Sequence, residues 1–257
     1  MFCVGLAQQL PYNRGVLILA LDTSSPSGSL AALSDEKVLG VIGTSSDENF
    51  SARFFRQLQF LLNELNLTLD QFDVFSVVAG PGSFTGLRVG LAAAKGWAEV
   101  HGKPIAAISA LEAVASQART DASLVMPVLD ARRGQVFFAA YKRVASQQGD
   151  LILEGDERLG TPDEFSQAVR VLERSSGIVI ATPSSEPISS LTLELGGQVS
   201  GGQQITVDEV SSILAPSVGR LGFLRAKFGR LTNSLSLDAN YIRRSDAELH
   251  LKVPTRP

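Results

Sequence analysis

Val16-Leu17-Ile18-Leu19-Ala20-Leu21-Asp22-Thr23-Ser24-Ser25-Pro26-Ser27-Gly28-Ser29 begins as a continuous apolar run of strand length. It stops on an aspartate followed by hydroxyl residues, proline and glycine, which is turn chemistry. Apolar runs return at Leu30–Leu33 and Lys37–Gly43, so the segment reads as a strand–turn–strand meander. The same order recurs later in the chain. Leu124–Leu129 is a predicted strand, Asp130-Ala131-Arg132-Arg133-Gly134 a polar turn, and Val136–Tyr141 the next strand. A strand closed by Asp, a turn containing Gly and a second strand, present twice, predicts two related α/β halves.

Working outward, Ser51–Leu67 has helical periodicity. Phe54, Leu58, Leu61 and Leu65 form an apolar stripe with Phe55 and Leu62 beside it, and Arg53, Arg56, Asn63 and Glu64 lie largely off it. Val74–Ala79 reads as a buried strand running into Gly80-Pro81-Gly82-Ser83-Phe84-Thr85-Gly86, with a helix over about Leu87–Val100. One side of that helix carries Gly86, Gly90, Ala93, Ala94 and Trp97, and small residues at this spacing let another helix approach closely. Ile105–Ile108 and Gly177–Ala181 are predicted strands. Ala110–Ala118, Asp163–Leu172 and Ser217–Phe228 are predicted helices, the second after a Thr161-Pro162 start signal. Ser184–Gln204, rich in Ser and Gly, reads as loop with one short strand, and the chain from Arg230 as mostly irregular.

Composition excludes several classes. The 257 residues are 44% hydrophobic and 19% charged, enough to bury a core. A formal net charge of −3 argues against gripping nucleic acid alone through a broad basic face. A single cysteine, Cys3, excludes a disulfide framework and a Cys-rich zinc site. The two histidines, His101 and His250, leave little for a multi-His metal site. No apolar window of membrane-spanning length is present, and Met1–Gly15 lacks the pattern of a signal peptide. The expectation is a soluble cytoplasmic chain. Charge is uneven: Pro216–Pro257 holds eight basic residues against three acidic ones. Such a run reads first as a solvated face, with contact to RNA or an acidic partner as the alternative.

Four features could carry chemistry. Asp22 can hold Mg²⁺ through water while turn N–H groups face a phosphate, or it can close an Asx-turn onto Thr23–Ser25. Asp130 has the same two readings. The glycine stretch from Gly80 to Gly86 is either an anion cradle at a helix start or a tight turn permitting close packing. Its spacing is neither a dinucleotide fingerprint nor a Walker loop. Arg88, in the first turn of the following helix, opposes the helix dipole, which a carboxylate, phosphate or partner would offset; otherwise it snorkels into water. A serine nucleophile elbow is absent from the sequence, and His101 sits in a helix-end turn.

Taken together, these segments resemble the TsaB (YeaZ) family. Leu19-Ala20-Leu21-Asp22-Thr23-Ser24-Ser25 looks like its first strand and turn. Val78-Ala79-Gly80-Pro81-Gly82-Ser83-Phe84-Thr85-Gly86-Leu87-Arg88-Val89-Gly90 looks like its signature loop and helix. Leu129-Asp130-Ala131-Arg132-Arg133-Gly134-Gln135-Val136-Phe137 is similar to a third motif, and Tyr241-Ile242-Arg243 matches a Tyr-x-Arg element. The resemblance implies two actin/Hsp70-like (ASKHA, RNase H-like) α/β domains, each a mixed sheet with flanking helices. It implies a non-catalytic partner of a TsaD-type transferase. With a TsaE-type ATPase and an ATP-dependent synthetase, that transferase installs threonylcarbamoyl on the adenosine next to the anticodon of certain tRNAs. The catalytic relative's His-x-x-x-His metal pair has no counterpart here, which disfavours the metallopeptidase reading.

The expected organisation is a flexible extension over 1–15, a first domain over 16–110, a smaller second domain over 111–230 and a basic tail over 231–257. The last helix, at about 217–228, is expected to pack back on the first domain. On that organisation, Val16 or Leu17 is expected to correspond to a non-ATG start. Catalytic and metal residues are expected to be absent, and no cofactor is expected to be bound by the chain itself. Asp22, Thr23, Ser24, Gly80, Gly82, Ser83 and Asp130 are the candidates for ATP with Mg²⁺. A partner interface is expected on Phe54, Leu58, Leu61, Gly86, Arg88, Gly90, Ala93, Ala94 and Trp97. That interface serves a homodimer when alone or the transferase in the complex, with tRNA reached only through the complex and no membrane contact. The chain departs from the family's pattern at Asn49, where many members have His, at Asn240, where Pro is usual, and at Ala181-Thr182-Pro183, where the family has a glycine-rich strand end.

Overall fold

The computed structural model describes residues 15–44, 50–119, 122–144, 151–172, 177–184, 186–188 and 205–242. The extension before residue 15, Asn49, the Ser- and Gly-rich segment 189–204 and the tail from 243 lie outside the described residues. The chain divides into two compact units. Unit 1 takes the chain up to Ala79, then Thr85–Ile108 and Ile213–Asp238; unit 2 takes Gly80–Phe84, Ser109–Ser212 and the chain from Ala239.

Unit 1 is built on strands β1 (Leu17–Asp22), β2 (Ser29–Ser34), β3 (Lys37–Gly43), β4 (Val74–Gly80) and β5 (Ile105–Ser109), in the order β3-β2-β1-β4-β5. β1 pairs antiparallel with β2 from Leu17↔Ser34 to Asp22↔Ser29, and parallel with β4 from Ile18↔Val74 to Leu21↔Val77. β1 and β4 are buried on both faces, which is why they read as unbroken apolar runs rather than alternations. Helices α1 (Phe50–Leu65) and α2 (Phe84–His101) follow β3 and β4. The late helix Ala215–Lys227 lies against β1 and β2.

Unit 2 repeats the plan. Strands β6 (Leu124–Arg132), β7 (Gln135–Arg143), β8 (Leu151–Gly160), β9 (Ile178–Thr182) and β10 (Ile205–Glu209) stand in the order β10-β9-β6-β7-β8. β6 is antiparallel to β7 and parallel to β9. Read strand for strand, this is the topology of unit 1, so the repeated Asp turn in the sequence marks a structural duplication. The core gathers Met126, Val128, Val136 and Phe138 with Ile178 and Ile180 against Phe165 and Val169 of α4 (Pro162–Leu172). Helix α3 (Ala110–Ala115) is capped by Ser109, whose hydroxyl accepts from the N–H groups of Leu111 and Glu112. Helix α5 (Ala215–Lys227) belongs to unit 1.

Strand β8 has no counterpart in the sequence reading. Its residues Ile152-Leu153-Glu154-Gly155-Asp156 are all exposed, Gly155 has φ +79°, and the β7–β8 register shifts between Phe138 and Ala140. Charged, irregular composition is how an outer strand discourages further pairing, and it also erases the alternation that would reveal the strand. Helix α2 starts at Phe84 rather than Leu87, so Gly86 is its third residue and Arg88 lies just past the first turn.

Candidate functional site

Asp22 ends β1 and is fully buried. Its Oδ1 accepts from the backbone N–H of Ser24 at 2.8 Å and from the Ser24 hydroxyl at 2.6 Å, an Asx-turn. Its Oδ2 is buried without a hydrogen-bond donor. Burial raises the carboxyl pKa to about 6, against the lowering effect of the two Ser24 hydrogen bonds. Thr23, also buried, donates from Oγ1 to the Gly86 carbonyl at 2.7 Å. A Cβ on Gly90 would lie 2.4 Å from Thr23 Oγ1. The polar turn is thus pinned to the start of α2, and the missing side chain at Gly90 lets it sit there. Buried Arg53 on α1 reaches the same turn, donating from Nη2 to the Pro26 carbonyl at 2.8 Å.

In unit 2, Gly80 has φ +134°, and a Cβ there would stand 2.3 Å from the Asn240 carbonyl oxygen. Asn240 Nδ2 donates to Glu157 Oε2 at 2.7 Å, and the rings of Phe84 and Tyr241 lie 4.9 Å apart. The segment Asn240–Tyr241 therefore seats on the glycine stretch. Gly82 is half-buried and Ser83 exposed. Asp130, on β6, is exposed, unlike its counterpart Asp22. Its Oδ1 accepts from the Arg132 N–H at 2.7 Å, and Oδ2 lies 3.6 Å from Arg132 Nη1. Arg132, Arg133 and Gly134 all have positive φ, forming a tight hairpin tip. Asp130, Arg132, Gly134, Gln135, Val136, Pro162 and Glu186 line a cleft of about 240 Å³.

The structure brings Asp22, Thr23, Ser24, Gly86 and Gly90 together within unit 1. Gly80, Gly82, Ser83 and Asp130 belong to unit 2. Five residues of the expected docking face are packed inside unit 1. Phe54, Leu58 and Leu61 are 0–5% exposed, and Gly90 and Ala94 are buried inside unit 1. Trp97 stacks on Phe54 at 5.9 Å and meets Phe75 at 5.6 Å. Those residues fill the unit's own core, because the apolar stripe of an amphipathic helix is the face its own sheet covers. Gly86, Ala93 and Trp97 are half-buried, and Arg88 is exposed. Among the described side chains of α1, Phe55 and Phe60 are large apolar groups left in solvent, each 60% exposed. Phe60 has a signal in the sequence, a large apolar residue out of phase with the stripe; Phe55, beside the stripe, has none. Arg53, expected off the stripe, is buried and holds the Pro26 carbonyl.

Among the described residues no group of three His, Cys, Asp or Glu is placed to hold a metal, and no helix is long and apolar enough to cross a membrane. The family model described as "TsaD: tRNA N6-adenosine threonylcarbamoyltransferase" matches residues 30–166, more than half of the chain. The chain is 37% identical over 125 residues to the tRNA threonylcarbamoyladenosine biosynthesis protein TsaB of Bacillus subtilis (strain 168), spanning 49% of this chain and 55% of that one. It is 31% identical over 177 residues to the protein of the same name from Haemophilus influenzae, spanning 66% of this chain and 73% of that one. The match thus covers little more than half the length of the Bacillus relative. The fold is that of YeaZ from Pseudomonas aeruginosa, with a TM-score of 0.68, 24% identity, and coverage of 88% of this chain and 99% of that one. With the duplicated sheet, the Asp turns and this kinship in place, the chain belongs to the TsaB (YeaZ) family of the TsaD-related, actin-like superfamily.

Proposed function

We propose that this chain is a non-catalytic cytoplasmic partner of a TsaD-type transferase, and through it of a TsaE-type ATPase, in forming N6-threonylcarbamoyladenosine next to the anticodon of tRNAs. The observation that carries this reading is the kinship to TsaB over 73% of the Haemophilus protein. The exposed face of α1 supports it. Phe55 and Phe60 are large apolar side chains left in solvent on a helix whose Phe54, Leu58 and Leu61 are buried, and covering them is what a partner or a second copy would do. Co-expression with the organism's own transferase tests it: the two proteins should elute together, and elution as separate species overturns the reading.

One observation favours a second reading, a nucleotide-dependent enzyme. The buried Asp22 Oδ2 has no donor, so a cation or proton placed there would be stabilised. The neighbouring hydroxyls donate their protons, Ser24 Oγ to Asp22 and Thr23 Oγ1 to the Gly86 carbonyl. Mg²⁺ at this turn would take a carboxylate oxygen from Asp22 and much of its shell from waters and phosphates, which is how Mg²⁺ is commonly held with ATP. Titrating ATP with Mg²⁺ into the isolated chain separates the readings. Micromolar binding that disappears in Asp22→Ala favours the enzyme; no heat at millimolar nucleotide, with transferase binding intact, favours the partner.

A further inference from the structure

Exposed cations follow the last helix of unit 1 and the residues just after it toward the end of the unit remote from Asp22. β1 spans about 17 Å between its two ends. At the Leu17 end, Asp73 joins the starts of three strands: its Oδ2 accepts from Leu17 N–H at 2.9 Å, and its Oδ1 lies 3.9 Å from Lys103 Nζ. Ile105 and Thr232 exchange two backbone hydrogen bonds of 2.9 and 2.8 Å, which brings the chain after α5 to the same end.

The close of α5 is rigidly built. Gly229, at φ +65°, donates to the Ala226 carbonyl at 3.2 Å, and Arg230 N–H donates to the Arg225 carbonyl at 2.8 Å. Together these form a Schellman-type helix end. The Arg230 guanidinium is held 5.5 Å over the ring of Phe228, which is 45% exposed. Arg220 and Lys227, seven residues apart, share one face of α5 and are both exposed.

The helix's carbonyl end has about half a negative charge, which Arg225 and Lys227 in the last turn suffice to offset. Arg230, beyond the helix, and Arg220, well before its end, are in excess of that need. Asp238 is the single acidic residue between Pro216 and Asn240. Among the described residues no carboxylate lies within ion-pair distance of Arg220, Lys227 or Arg230. Uncompensated cations beside an exposed aromatic ring match an RNA strand, with phosphates for the cations and bases for the ring.

We propose that Arg220, Lys227 and Arg230, with Phe228, form a contact surface for the phosphate backbone of the tRNA on which the complex acts. This rests on the tRNA-modification reading above and adds a place on this chain where the RNA lies. The net acidic charge of the whole chain masks the patch.

The test is fluorescence anisotropy of an unmodified tRNA transcript with the full chain in complex with its transferase, across a salt series. Arg220→Glu/Lys227→Glu/Arg230→Glu should weaken binding at least about tenfold and lower the salt slope by about three, at roughly 0.9 per lost phosphate contact. Lys227→Arg with Arg230→Lys should retain the wild-type slope. Co-elution with the transferase and the near-ultraviolet circular dichroism should not change in any of these variants. A triple variant with the wild-type slope overturns the proposal. Loss of the transferase with unaltered tRNA affinity also overturns it and assigns the surface to a protein contact. If the wild-type chain never assembles with the transferase, the functional reading fails; anisotropy on the isolated chain then still decides the RNA surface by the same slope difference.

Discussion

Replacing Asp22 by Asn removes the ionisable group while keeping an oxygen to accept from Ser24. Burial holds the carboxyl at a pKa of about 6, above the ordinary 3.8. A raised carboxyl pKa means the folded protein holds its proton more tightly than the unfolded chain. The favourable contribution is therefore complete below about pH 3.8 and is lost as pH rises through about 6. With 1.36 kcal/mol per pKa unit, the full loss is about 3 kcal/mol, and about 2 kcal/mol of it falls between pH 4.5 and 7.5. The assay is urea unfolding followed by the fluorescence of Trp97, the single tryptophan of the sequence, which lies in the same unit as Asp22. Comparing wild type with Asp22→Asn at both pH values cancels every other titrating group. Wild type should lose about 2 kcal/mol relative to the variant on going to the higher pH. Parallel pH dependences in the two proteins would refute the claim that Asp22 is buried with an oxygen unsatisfied.

Other outcomes follow from the same geometry. Gly90→Val places a side chain where Thr23 Oγ1 stands, so it should destabilise unit 1 by about 1–3 kcal/mol in the Trp97 unfolding assay, rather than spare the fold and abolish docking alone. Gly80→Ala combines a φ of +134° with a clash against the Asn240 carbonyl; hydrogen exchange at Gly82–Phe84 should rise markedly, and wild-type protection there would count against the seating of Asn240. Phe55→Ser with Phe60→Ser should leave unfolding within about 0.5 kcal/mol of wild type yet abolish self-association or transferase binding in sedimentation runs. Phe54→Ala, one position away, should instead cost about 3–5 kcal/mol, because that ring is fully buried.

What the sequence discloses here depends on whether a residue's role is local. Asp22 and Asp130 each end an apolar run and open a turn, and that local signal predicts the duplicated sheet. The buried strands β1 and β4 are legible because burial on both faces leaves unbroken apolar runs. Strand β8 is not, since an outer strand of mixed charge with a positive-φ glycine carries no period. Gly90 shows the limit most clearly. Small residues at helical spacing report that something approaches closely, and sequence cannot say whether it is a partner's helix or, as found, the chain's own Thr23. The difference between Asp22 and Asp130 is of the same kind. The two share a motif, yet one is fully buried in a turn bonded to α2 and Arg53 while the other is exposed beside a hairpin tip, and burial is decided by residues far away in sequence. Phe60 carries a usable signal, its phase, which attention to the stripe alone passes over, whereas Phe55 borders the stripe and its exposure is decided by what the sheet leaves uncovered.

The most direct test of the account is the yield of N6-threonylcarbamoyladenosine, measured by mass spectrometry of nucleosides from an unmodified tRNA incubated with the transferase, the synthetase and the ATPase, with and without this chain. Modification should depend on the chain, and Asp22→Asn with Asp130→Asn should support it as wild type does. Equal yields in the absence of the chain, or a yield abolished by that double variant while it still co-elutes with the transferase, would contradict a non-catalytic partner.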